Sequence, residues 1–230
     1  MKLPAPLFEG ILLRRYKRFF TDIELLDGRV VIAHTPNTGS MKQCAIAGHN
    51  VLISKSDNPK RKLQYTLELI RIGEYWVDTH TQRTNRVVEE ALRNNWIKSL
   101  EDHQVQPEYK FGESRIDFYL EKTAEKVLVE VKNVTLCCNG ITACFPDAVT
   151  IRGQKHLREL LAAKQQGYRA VIFFLVQRAE TTEFSPADEI DPEYGRLLRE
   201  VVAKGVEAMA YKTIVTPKEN RVGEQIPVVL

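Results

Sequence analysis

Asp117, Glu130 and Lys132 are the residues of this chain whose types and spacing could do chemistry. Residues 115–120 and 126–132 read as neighbouring β-strands joined by a polar turn. Period-two alternation predicts Ile116, Phe118 and Leu120 on one face of the first strand, leaving Asp117 opposite with Arg115 and Tyr119. On the second strand Val127, Val129 and Val131 share a face, so Glu130 and Lys132 share the other. A hairpin pairing then brings Asp117 beside Glu130. Two crowded carboxylates raise each other's pKa unless a cation separates them, as a hard, oxygen-liganded Mg²⁺ or Mn²⁺ would. Asp117, Glu130 and the Val131 carbonyl would hold such a cation, and Lys132 would orient water and offset charge on a phosphate. That is the arrangement of a metal-dependent nuclease. The competing reading is a salt bridge on a solvated sheet face.

The elements that must position these groups follow from periodicity. Thr84 is a good N-cap for a helix carrying Val87, Val88, Ala91 and Leu92 on one face, with Glu89 and Glu90 both flanking it. Strands follow at 108–111, 115–120 and 126–132. A helix over 152–166 buries Leu157, Leu160 and Leu161 and stops at Gly167. Residues 170–176 form a fully buried strand, and Asp191-Pro192 opens a helix carrying Leu197, Leu198, Val201 and Val202. A strand at 206–215 closes an αβββαβαβ order, with a further strand at 226–230 left open in placement. In the second helix, Gln154, Lys155 and His156 occupy the first turn, with Arg152 just before them, where helix N–H groups favour a phosphate. A lone helical histidine is more often a structural hydrogen-bonder. Asp147 reads as a loop cap or an outer-shell metal ligand.

Residues 1–82 read instead as all-β. Asp27-Gly28 between two apolar runs is a strong hairpin signal, and further strands at 50–54, 65–71 and 75–77 suggest a small closed barrel of the OB type. This third carries 12 Lys and Arg against 8 Asp and Glu, while the remainder is nearly balanced. Arg14, Arg15, Tyr16, Lys17 and Arg18, followed by Phe19 and Phe20, interleave cations with aromatics, the mixture that tracks a phosphate backbone and stacks bases. One of Phe19 and Phe20 is expected in the barrel core. Lys60, Arg61 and Lys62 add a basic loop near the barrel mouth. A nucleic acid is the expected partner, with strandedness unknown.

Composition sets the bounds. A chain of 230 residues, 43% hydrophobic and 27% charged, is long enough for two domains and excludes disorder and collagen-like structure. Its longest uncharged apolar run spans seven residues, 170–176, far short of a membrane span of about 20. Glu9 interrupts the early apolar stretch, so no export signal is expected and the chain is placed in the cytoplasm. There Cys44, Cys137, Cys138 and Cys144 are expected as free thiols. The expected class is mixed α+β, with an OB-like barrel over 1–82 and an α/β domain over 83–230.

That order resembles the PD-(D/E)xK nuclease-like core, with Asp117 and Glu130-Val131-Lys132 at matching positions; its leading Pro-Asp is absent, since Ile116 precedes Asp117. More narrowly, Pro36-Asn37-Thr38-Gly39, Arg115-Ile116-Asp117-Phe118, Glu130-Val131-Lys132, Phe145-Pro146-Asp147-Ala148 and Arg152-Gly153-Gln154-Lys155-His156-Leu157 resemble the sugar fermentation stimulation protein A family. The resemblance implies a DNA-binding protein linked to sugar use, an OB-like domain before a nuclease-like one, and Glu90 as a further metal ligand. It leaves open a purely non-enzymatic regulator, and says nothing of whether the chain self-associates.

Overall fold

The computed structural model describes residues 1–230. Strands β1 (Leu7–Tyr16), β2 (Phe20–Leu25), β3 (Val30–His34), β4 (Asn50–Lys55) and β5 (Tyr65–Ile72) run in the order β3-β2-β1-β4-β5. Ala33 and His34 of β3 also pair in parallel with Tyr65 and Thr66 of β5, which closes a five-stranded, OB-like barrel. The Asp27-Gly28 turn forms as its chemistry demands, with Gly28 at φ +80°. Leu12, Ile23, Ala33, Ile53, Leu67 and Ile70 fill the interior. Strand β6 (Tyr75–Asp78) forms a hairpin with β5 and leads out of the barrel.

The expected core role of Phe19 or Phe20 is not met. Lys17 and Arg18 both adopt left-handed φ values, 48° and 64°, so the chain reverses there and Phe19 is 42% exposed at the rim. The basic-aromatic run is therefore a strand end, a turn and a strand start, and Phe20 stacks on Tyr16 with ring centroids 5.5 Å apart.

The second domain comprises α1 (Thr81–Arg93), a 3₁₀ turn (Lys98–Leu100), β7 (Gln104–Phe111), β8 (Ser114–Lys122), β9 (Glu125–Val134), β10 (Leu136–Cys137), β11 (Thr142–Phe145), α2 (Ile151–Gln165), β12 (Arg169–Val176), β13 (Glu183–Pro186), α3 (Pro192–Ala203), β14 (Glu207–Val215) and β15 (Asn220–Ile226). Its main sheet has the order β15-β14-β12-β9-β8-β7, with β12 parallel to both β9 and β14. Helix α1 packs Val87, Val88, Ala91 and Leu92 on one face of that sheet, in a cluster with Val127 and Val129. Helices α2 and α3 cover the other, where Leu157, Leu160, Tyr194 and Leu198 meet Ile172 and Phe174. Buried on both faces, β12 needs apolar residues throughout, which is why its sequence does not alternate.

Three expectations are corrected here. Helix α1 begins at Thr81 with His80 in the capping position, because the barrel's Pro36 carbonyl accepts from Thr81 N–H; Thr84 is buried inside the first turns. The last strand ends at Ile226 rather than starting there, anchored by the fully buried Asn220. Cys138 and Cys144 form a disulfide, since the β10–β11 hairpin folds the chain back and sets their Cα atoms 6.0 Å apart; Cys44 and Cys137 are buried free thiols. No helix is long and apolar enough to cross a membrane.

Candidate functional site

The register of β8 and β9 pairs Phe118 with Val129, and one step further would set Asp117 opposite Glu130. The ladder stops there. The Val131 N–H donates to Asp117 Oδ2 (2.7 Å) in place of a backbone carbonyl, so the carboxylate occupies the fork where β8 leaves β9. On the other side of β8, Glu108 takes a left-handed φ of 54° beside the same point. Here the alternation breaks: Ile116 packs with the α2 and α3 core, whereas Phe118 and Leu120 pack with the α1 core, so the expected shared face does not exist.

The second oxygen of Asp117 accepts from Asn85 Nδ2 (2.7 Å), which α1 presents. Burial, reinforced by repulsion from Glu130, pushes the Asp117 carboxyl up to about 6. Glu130 is itself 2% exposed. Burial would raise its pKa, but Lys132 and His156 together outweigh that and hold it below the usual carboxylate range. Lys132 Nζ donates to Glu130 Oε1 (2.8 Å), and His156 Nδ1 makes a close contact with the same oxygen. Arg152 Nε donates to His156 Nε2 (3.3 Å), so the hydrogen-bond pattern places a ring proton on Nδ1, facing Glu130. The 2.9 Å approach of Lys132 to His156 is then two donors converging on one oxygen.

What remains is Glu130 Oε2, buried and without any donor, as is the hydroxyl of Tyr194. A partnerless carboxylate oxygen beside an Asp117 whose pKa is raised by burial and by Glu130 is the donor chemistry that a hard divalent cation satisfies. No three His, Cys, Asp or Glu side chains converge as a closed cage, so such a cation would take further ligands from the Val131 carbonyl, water or a phosphate. The residues fit Mg²⁺ or Mn²⁺ on these terms. Beside the fork opens a 380 Å³ cleft lined by Val131 and Lys132 but by neither Asp117 nor Glu130, with Asn85 on one side and Arg18, Asn37 and Gly39 of the barrel domain on another.

Other expected residues lie elsewhere. Glu90 is corrected: it pairs with the Met1 ammonium, and Asn85, not an acidic residue, reaches Asp117 from α1. Gln154, expected at a phosphate, is buried and donates to Asp191. His156 is likewise 5% exposed and belongs to the Glu130 cluster, whereas Lys155 stays exposed beside Glu159. In the barrel, Arg14 pairs with Asp22 and Arg15 donates to the carbonyls of Arg18, Asn37, Gly39 and Ser40. Lys17, Arg18, Lys60 and Lys62 remain exposed, and Arg61 donates to the Thr66 hydroxyl. Asp147 does cap a loop, but the other domain's: it accepts from Met41 N–H and Ser40 Oγ (both 3.2 Å). Sequence reasoning missed Asn85 and the convergence of Arg18 with the Asn37 loop on Lys132; the only sequence signal was the Pro36-to-Gly39 break.

Comparison with known proteins agrees with this layout. Residues 13–78 match the family model described as "SfsA N-terminal OB domain", and residues 82–219 match "Sugar fermentation stimulation protein RE domain". A sugar fermentation stimulation protein homolog of Syntrophotalea carbinolica is 63% identical over 228 residues, covering 99% of each chain. The homolog of Geobacter metallireducens is 52% identical over the whole of both. Among solved structures, Pyrococcus furiosus SfsA in complex with Ca²⁺ superposes with a TM-score of 0.89 at 28% identity, covering both chains fully.

Proposed function

Since the chain belongs to the sugar fermentation stimulation protein family, we propose that it binds DNA through its basic barrel and hydrolyses phosphodiesters at the Asp117–Glu130 fork, in the service of sugar use. The observation that carries this reading is the buried, partnerless Glu130 Oε2 next to an Asp117 that retains its proton up to about pH 6. The Ca²⁺ complex of the Pyrococcus relative supports a divalent ion at this fold. When bound, Mg²⁺ or Mn²⁺ would neutralise phosphate charge and make water more acidic. Asp117, Glu130 and the Val131 carbonyl would hold it. His156 and Lys132 keep Glu130 Oε1 engaged, so its other oxygen is left to serve as the ligand. Lys132, which lines the cleft, sets positive charge where the phosphate gains negative charge. Arg18 overhangs the same cleft from the barrel, and exposed Lys17, Lys60 and Lys62 extend the positive surface for backbone phosphates.

A second reading, a DNA-binding regulator without catalysis, is favoured by one feature: the Lys132 amine lies against Glu130 rather than free in the cleft. One experiment separates the two. Purified protein is incubated with single- and double-stranded DNA, with and without Mg²⁺ or Mn²⁺, and binding is followed in parallel. The hydrolytic reading expects cation-dependent cleavage that Asp117→Ala abolishes; cleavage that survives in Asp117→Ala overturns it. Salt-sensitive binding that Lys17→Ala weakens, with no cleavage by the unaltered protein, leaves the regulator.

A further inference from the structure

A second cavity, 740 Å³ in volume, lies on the other side of the Asn37-Thr38 loop from the Lys132 cleft. Its size falls within the roughly 300–1,000 Å³ of small-molecule sites. The barrel contributes Phe19, His34 and Arg61, α1 contributes Arg86, and Lys2 and His80 complete the lining that matters.

The cavity's charge is one-sided. Glu68 also lines it, but its carboxylate is taken up by Arg83 and Ser54, and Arg83 is shared with Asp78. By contrast Lys2, Arg61 and Arg86 have no carboxylate partner; Arg61 bonds only the Thr66 hydroxyl. Three cations facing one hollow without counter-charge repel one another, and an anionic ligand relieves that.

The cavity also offers a stacked aromatic pair. Phe19 and His34 are nearly parallel, at 10°, with ring centroids 6.5 Å apart. Burial, followed by the nearby Arg61 charge, lowers the His34 pKa and keeps the ring neutral at pH 7. Burial likewise lowers His80, whose Nδ1 is enclosed and has no hydrogen-bond partner. A planar heterocycle against Phe19 and His34, with its phosphate towards Arg61, Arg86 and Lys2, uses all of these features. A bare anion would leave the aromatic pair unused.

We propose that this cavity binds a nucleoside monophosphate, either free or as the phosphorylated terminal residue of a DNA strand. The assignment goes beyond the phosphodiester reading and does not rest on it.

The test is calorimetric titration of the full chain in EDTA, which removes divalent cations. The probes are 2′-deoxyadenosine 5′-monophosphate, 2′-deoxyadenosine and inorganic phosphate. The nucleotide should bind saturably, and each half of it about tenfold or more weakly. Arg86→Ala should weaken nucleotide binding about tenfold, with partial recovery in Arg86→Lys, and Phe19→Ala about three- to tenfold. Both residues are exposed, and a thermal melt checks that each variant is folded. A decanucleotide with and without a 5′-phosphate identifies the source. A preference for the phosphorylated end that Arg86→Ala removes assigns strand ends, and nucleotide binding without that preference assigns the free nucleotide. Absence of saturable nucleotide binding at millimolar concentration overturns the proposal. So does equal affinity for phosphate alone, or wild-type affinity in both variants. Because EDTA is present throughout, a negative result leaves the cleavage experiment untouched.

Discussion

Two buried clusters of charge flank α1, and they are built on opposite principles. Around Arg83, the charges are matched: Nη1 donates to Asp78 Oδ1 (2.9 Å), Nη2 pairs with Glu68, Ser54 donates to Glu68, and Asn220 Nδ2 donates to Asp78 Oδ2 (2.8 Å). Every oxygen of both acids has a donor. Burial works against the Arg83 charge, yet Asp78 and Glu68 outweigh it and raise its pKa. Around Glu130, Lys132 and His156 crowd one oxygen while the other has none, and Asp117 is pushed towards its neutral form. A saturated network, its carboxylate oxygens all paired as around Arg83, where only the Asn220 amide oxygen lacks a partner, serves packing, while an unsaturated one, which leaves a carboxylate oxygen bare, holds capacity for something not in the chain.

Breaking the saturated cluster should have the largest effect. Arg83→Met strands two buried carboxylates and is expected to cost about 3–5 kcal/mol of unfolding free energy in urea titrations. A loss below 1 kcal/mol would mean the network is not matched as described. In the unsaturated cluster the sign reverses. Folding raises the Asp117 pKa from 3.8 to about 6, so the native state holds that proton more tightly than the unfolded chain. Stability without cation therefore falls as pH rises through that window and stays lower above it. Asp117→Asn should recover about 1–3 kcal/mol at pH 8 while abolishing Mn²⁺ binding, since the Asn85 amide can turn to pair with it. Destabilisation at pH 8 would count against the unsaturated description. The same proton competes with the cation, so Mn²⁺ affinity of the unaltered protein should drop about tenfold per pH unit below about 6. The smallest effect sharpens the boundary of the site: Glu90→Gln, which loses only the half-exposed Met1 pair, should change stability by about 0–1 kcal/mol and leave Mn²⁺ affinity intact.

Much of this was legible in sequence because it depends on local rules. Asp27-Gly28 and Asp191 with Pro192 fix a turn and a cap by short-range chemistry, and the order of the main helices and strands follows from periodicity. The face of Glu130 was readable because β9 is regular: Val127, Val129 and Val131 all lie in the α1 core. Asp117 lies where regularity fails, and the residue that breaks it, Glu108, belongs to another strand. No alternation along β8 could show that. Asn85 and Glu90 are five residues apart on one helix, and only the packing angle of α1 decides which meets the carboxylate. The Cys138–Cys144 link arises from a hairpin of minimal strands whose composition carries no strand signal.

The Asp147 cap on the Ser40-Met41 turn has a further consequence at Gly39. A methyl group there would come within 2.7 Å of an Asp147 oxygen and 3.0 Å of Asn37 Oδ1. The two halves of the molecule thus touch at a point with no room for even one extra carbon. Gly39→Ala is in effect a wedge one atom thick, and the change it makes to Arg18 across the cleft gauges how firmly the barrel is seated on its neighbour.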